Sequence, residues 1–247
     1  AIYAKDSQNI RLTNTDIKGC TAKEKGGAIY TESVIGTING CTLAGNTAKN
    51  GGGIYFFNGN YGGSIEIENC TLTGNKANNG GAIYAEKDGY ALAKVTITGG
   101  TIGGKTEDDA NKAAGSGSDE GRGGAVFIKG ATVTINSCTL TGNEAKNGGG
   151  VYMEGGDCTL KALALLKDNK TTELASSSGG SIYLKNGTLT MKTGAEISGS
   201  HASVSGGGVY ISVSEGTASF TMEGGTISGC NVSSSYVAYG GGVCVEV

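Results

Sequence analysis

One phrase constrains this chain more than any other: Gly26-Gly27-Ala28-Ile29-Tyr30 returns along the whole sequence with like-for-like substitutions. Copies stand at Gly51–Tyr55, Gly80–Tyr84, Gly123–Phe127, Gly148–Tyr152, Gly179–Tyr183, Gly206–Tyr210 and Gly240–Cys244, and the chain opens on a partial copy, Ala1-Ile2-Tyr3. The last residues of these phrases are spaced by 27, 25, 29, 43, 25, 31, 27 and 34 residues, which makes eight turns. A fixed self-similarity outranks length when domains are counted, so residues 1–247 read as a single array, cut mid-repeat at both ends and expected to continue there. The 43-residue turn carries a charged stretch, 105–122, expected to bulge from one coil, and 231–239 forms a second, smaller loop.

A second phrase lies within each turn. It reads Thr37-Ile38-Asn39-Gly40-Cys41-Thr42-Leu43-Ala44-Gly45-Asn46, and it returns at 66–75 and 134–143. Short alternating runs of Val, Ile and Thr, broken by Gly and Asn, are strands and turns. A unit of 25 to 31 residues cannot bury its own apolar face, whereas stacked units bury a continuous one. The expected fold is therefore all-β, a right-handed parallel β-helix of about eight coils with about three short strands per coil. At the usual inter-strand spacing of about 4.8 Å it is roughly 40 Å long. The chain contains no Pro, as a ladder that needs every N–H requires. The double glycines are expected to supply positive φ at a corner and close coil approach.

Strand parity assigns the columns. Ile38, Ile67, Ile97 and Ile135 point inward, with Cys41, Cys70, Cys138, Leu43, Leu72 and Leu140. Asn46, Asn75, Asn143 and Asn169 close the second phrase at a corner and are expected to form an internal hydrogen-bonded ladder, with Cys20 and Cys230 in the same slot. Outward columns carry threonine, and alternating charges such as Lys5, Glu32, Glu86 and Lys129. By the same parity Tyr30, Tyr55, Tyr84, Phe127, Tyr152, Tyr183 and Tyr210 stand on an outer face. That column is the candidate binding or association face, because Tyr favours interfaces; stacking that merely stabilises neighbouring coils is the competing reading.

The Gly-Gly-Ala-Ile phrase paired with a strand ending in Asn resembles the repeats of polymorphic outer membrane proteins and related adhesin-like surface proteins. The resemblance extends over nearly the whole chain, with Leu43-Ala44-Gly45-Asn46 and its copies standing where that family has Phe-x-x-Asn. It implies a right-handed β-helix displayed at a cell surface or extracellularly, as a structural stalk, fibre or adhesin. An adhesive role points to the surface of a host or neighbouring cell as a partner, while the tyrosine column suggests a glycan or copies side by side, and the mid-repeat ends suggest copies end to end.

Chemistry is harder to find. Polysaccharide lyases and hydrolases share the fold, so a carbohydrate-active enzyme is the alternative reading, yet the sequence assembles no convergent acid pair. His201 lies in a Ser/Gly-rich turn without a readable partner acid, and Asp108-Asp109 sits in the charged insertion. No catalytic residue, metal site or cofactor is assigned. Net charge is -3 with only two arginines, which excludes the electrostatic footprint of nucleic-acid binding. No run of about 18 apolar residues occurs, so no helical membrane insertion is expected in this segment. The seven cysteines read as small buried residues rather than a disulfide framework.

Overall fold

The double glycine sets the geometry of the coil, and its two members do different jobs. Gly80 adopts φ 63°, a left-handed conformation that L residues disfavour. Gly81 does not need positive φ. It needs space, because a Cβ there would press on the Gly124 carbonyl oxygen of the next coil and lie 2.7 Å from the Lys112 amide nitrogen. The first glycine turns the chain and the second lets the coils touch.

Repeating that unit gives the architecture seen in a computed structural model, which describes residues 2–6, 10–59, 61–115, 117–172, 176–213, 216–234 and 238–246. The chain is all-β, a parallel β-solenoid of about eight turns with three sheets. The largest sheet has 15 strands and contributes two segments per coil. One segment follows the glycines, as in Ile29–Glu32, Ile54–Asn58 and Ile83–Lys87, and the other is the first half of the second phrase, as in Ile35–Asn39, Gly63–Glu68 and Ala93–Thr98. Val151–Leu160 and Ile182–Met191 run through both positions. An eight-stranded sheet stacks Thr42–Ala44, Thr71–Thr73, Thr101–Gly103 and their equivalents, and a six-stranded sheet begins at Lys76–Ala77. Pairing is parallel and repeat-equivalent residues are in register: Ile29 opposes Ile54, which opposes Ile83, which opposes Val126.

Register is what makes the interior. Ile38, Ile67, Ile97, Ile135, Leu43, Leu72 and Leu140 are buried in one continuous core with Cys41, Cys70 and Cys138. Burying a side chain of this size contributes about 1.5–3 kcal/mol relative to exposing it. A one-residue slip would move every such side chain to the other face of its strand. The core therefore fixes the register along the whole stack.

The charged insertion does not leave the coil as one loop. Residues 105–109 protrude, then Asn111 is fully buried and Lys112–Ala113 form a strand between Lys76–Ala77 and Glu144–Ala145. A second protrusion follows and closes where the Gly121 amide donates to the Asn78 carbonyl. The buried asparagine holds the chain in the stack at the middle of the segment. In the smaller loop at 231–239, Asn231–Val232 are a strand and Tyr239 bridges Ser205; residues 235–237 lie outside the described residues.

Candidate functional site: a covered aromatic rib, an asparagine ladder and a tyrosine-walled groove

The aromatic column forms an unbroken stack outside the main core. From Tyr3 through Tyr30, Tyr55, Tyr84, Phe127, Tyr152 and Tyr183 to Tyr210, successive ring centroids are 4.6 to 5.4 Å apart. The expectation of an open aromatic face is corrected here. Tyr55 retains 2% of its surface, Tyr84, Phe127, Tyr152 and Tyr210 are also buried, and Tyr30 and Tyr183 are half-buried. Parity gave the side correctly and said nothing of the neighbours. The Lys25 ammonium lies 4.8 Å from the Tyr55 ring centre, and the Arg122 guanidinium 5.2 Å from that of Tyr152. Arg122 is itself held by Asp119 at 2.7 Å and Glu154 at 3.2 Å.

Hydroxyls at three places along the column are tied down as well. Tyr30 donates to Glu32 at 2.9 Å, Tyr55 to Glu86 and Tyr210 to Glu246. Those carboxylates belong to the alternating charge column, where Lys5 pairs with Glu32 at 2.8 Å and Lys129 with Glu86 at 2.9 Å. Burial pushes the Tyr55 and Tyr84 phenols well above their ordinary range, and the hydrogen bond to Glu86 pushes Tyr55 further. The Lys5 ammonium holds the Glu32 carboxyl below its usual value. Three of the seven ring pairs stack face to face, three meet edge-on and one is tilted, and with most of the rings buried in this way the rib ties coil to coil and leaves little ring surface for a ligand.

The asparagines form a second rib, inside. Asn46 Nδ2 donates to Asn75 Oδ1 at 3.0 Å, Asn75 Nδ2 to Asn111 Oδ1 at 2.9 Å, Asn111 Nδ2 to Asn143 Oδ1 at 3.0 Å, and Asn143 Nδ2 to Asn169 Oδ1 at 2.9 Å. Each Nδ2 also donates to a carbonyl of the coil before it, as Asn75 does to Leu43 at 2.9 Å. Backbone amides use the same oxygens, so the amide of Cys20 donates to Asn46 Oδ1 at 2.9 Å. All five asparagines are fully buried. Asn111 is the rung that sequence reading missed, because residues 103–110 separate it from Ile102 and hide the Leu-x-x-Asn spacing.

Other expected groups fall into simple places. Asp109 closes a local turn with Thr106 Oγ1 at 2.6 Å, and among the described residues no group of three or more His, Cys, Asp or Glu is placed to hold a metal ion. His201 is not isolated: its ring meets Asn231 through Nδ1 and Ser233 Oγ at 3.0 Å through Nε2, on the exposed side of the six-stranded sheet. All seven cysteines are free thiols. Burial pushes the thiols of Cys138 and Cys158 up to about 12.

One concave surface lies beside the aromatic rib, at the edge where the first coils turn from one strand to the next. Tyr61 projects there with 86% of its surface exposed. It divides a cleft of about 590 Å3, floored by Phe57 and rimmed by Lys5, Asp6, Glu32 and Asp88, from one of about 330 Å3 against Ile35 and Ser33. Both volumes fall within the range of about 300–1,000 Å3 usual for ligand clefts. Tyr90 and Leu92, on the loop of the following coil, are exposed at 102% and 77%.

No curated protein and no solved structure matches this chain. One family model does: the Chlamydia polymorphic membrane protein repeat matches residues 69–86. That stretch runs from the corner at Asn69 through Leu72, the Asn75 rung and Lys76–Ala77 to Gly80-Gly81-Ala82-Ile83-Tyr84, so the matched segment spans a ladder rung, the double glycine and one aromatic of the rib. Together with the parallel solenoid it fits a β-helix of the polymorphic membrane protein kind.

Proposed function

We propose that this chain is a non-catalytic segment of a cell-surface protein, a β-helix that serves as a stalk and carries an adhesive surface on its flank. The match of residues 69–86 to a polymorphic membrane protein repeat carries the reading. The physics of the array supports a mechanical role. Aromatic rib, asparagine ladder and charge column add side-chain links to the backbone hydrogen bonds that join each coil to the next, so load along the axis is shared among them. Antibodies raised against the chain, applied to intact and permeabilised cells of the source organism, test the location. Labelling of intact cells that disappears after external protease treatment is expected, and labelling confined to permeabilised cells refutes it.

A carbohydrate-active enzyme on the same fold is the second reading, and the carboxylates Asp6, Glu32 and Asp88 around one cleft are the observation behind it. Glycoside cleavage needs two carboxyl groups on opposite sides of the bond. Release of reducing sugar from a polysaccharide panel, abolished by Asp88→Asn, would establish this reading in place of the first.

A further inference from the structure

We propose that the groove divided by Tyr61 is a docking site for an oligosaccharide built of neutral or amino sugars. The inference rests on the adhesive reading above and names where the adhesion would occur and to what.

Ring surface comes first. The aromatic rib has its rings committed, but Tyr61 has no ring stacked on it among the described residues and stands almost wholly exposed between the two clefts. Phe57, beside it, packs against the rib with the Lys25 ammonium 5.1 Å from its ring centre, yet is only partly buried and lines the larger cleft. Two ring surfaces meeting at a wall and a floor suit the apolar C–H face of a pyranose.

Charge selects among sugars. Lys5 is committed to Glu32 at 2.8 Å, while Asp6 and Asp88 form no ion pair among the described residues. Lys5 in the lining and Lys25 over the Phe57 ring stand against three carboxylates, which leaves the groove negative by one. Ionised carboxylates are acceptors only, so they suit hydroxyl donors and an ammonium group and repel uronic, sialic and sulfated residues. An amino sugar adds attraction to the ring faces themselves.

Backbone pairing argues against a peptide. Strand addition needs free main-chain donors, but the groove edge spends its amides between coils: Asp6 N–H on the Glu32 carbonyl, Ser33 on Phe57 at 2.9 Å, and Asp88 on Asn58 at 2.8 Å. Side chains and ring faces are what the groove offers.

The test is a panel of immobilised glycans presented to the purified 247-residue chain: neutral gluco-, manno- and galacto-oligosaccharides, chitin and chitosan oligomers, sialylated and sulfated glycans, and an oligolysine peptide. Retention on one or more neutral or amino-sugar ligands is expected, with Tyr61→Ala and Asp88→Asn each weakening it by about tenfold or more, as loss of a central contact does. Both residues are at the surface, and an unchanged far-ultraviolet spectrum and melting temperature are expected of both variants. Preference for sialylated or sulfated glycans, retention on oligolysine alone, variants that bind like the parent, or no binding anywhere on the panel would each overturn the proposal. Surface labelling of intact cells together with a blank panel sinks the groove and leaves the surface reading standing. Labelling confined to permeabilised cells sinks the surface reading, whatever the panel gives.

Discussion

Replacing Asn75 by aspartate changes one atom of the ladder and reverses what that atom can do. Asn75 Oδ1 accepts from the amide and Nδ2 of Asn46, both at 3.0 Å, and Nδ2 donates to the Leu43 carbonyl and Asn111 Oδ1, both at 2.9 Å. In Asn75→Ala the Asn46 amide loses its acceptor, Asn46 Nδ2 loses one of its acceptors, and the Leu43 carbonyl and Asn111 Oδ1 each lose a donor. One buried unsatisfied group at about 1–3 kcal/mol, plus three lost bonds at about 1 kcal/mol each, gives about 4–6 kcal/mol. In Asn75→Asp the new oxygen faces those same two acceptors, so repulsion and the burial of a charge add to the loss. Aspartate is therefore expected to be the worse substitution at neutral pH although it is nearly isosteric. Burial raises its folded-state pKa above the unfolded value of about 3.9. The variant's stability is then fully present below that value and lost as pH rises, so acid should narrow the gap to Asn75→Ala. Urea unfolding followed by far-ultraviolet circular dichroism at pH 7 and pH 4 measures both effects, with Thr71→Ala, an exposed strand residue, as the control within about 0.5 kcal/mol of the parent. An Asn75→Asp variant as stable as the parent at pH 7, or a gap that widens in acid, would refute the ladder argument.

The other structural ribs give predictions of their own. Burial raises the phenol pKa of Tyr55, Tyr84 and Tyr152 above the unfolded value of 10.0, so the stability linked to them is complete below pH 10 and lost above it; phenolate absorbance of these tyrosines should rise together with loss of the β signal, and their ionisation in folded protein would count against the covered rib. Gly81→Ala should cost more than Gly45→Ala, because Gly45 has φ 64° with nothing within 4 Å of a new Cβ, at about 1–2 kcal/mol, whereas Gly81 meets the backbone of the next coil; equal melting temperatures for the two would show that the coils do not touch there. A thiol reagent at pH 8 should modify Cys20, Cys230 and Cys244 in native protein and reach Cys41, Cys70, Cys138 and Cys158 only on unfolding; rapid reaction of all seven would contradict the core assignment.

The sequence revealed most of what depends on repetition. Ile67, Cys70 and Leu72 recur at the same places in closely similar phrases, and a side chain repeated at a fixed place in a strand points the same way in every coil. Asn46, Asn75, Asn143 and Asn169 were readable because a Leu stands three residues before each. Asn111 lacked that marker, and only the spatial stack identifies it. The tyrosine column failed differently. Alternation tells inside from outside of a strand, but burial of Tyr55 depends on Lys25 and Glu86, which lie in other coils or on other columns. A long charged residue just before the glycines and a carboxylate two places after the aromatic were the available signal. The groove was invisible because Asp6, Phe57, Tyr61 and Asp88 sit in the parts of the repeat that vary.

The split insertion has a consequence for how such an array can change. In the longest coil the extra chain emerges on both sides of Asn111, while the rung itself and Lys112–Ala113 keep the same neighbours they would have in a coil of ordinary length. Pitch and register are thus insulated from outgrowth at those two corners. New surface can be added to one coil without retuning the coils above and below, so the flank is free to diversify while the spring beneath it keeps a constant wind.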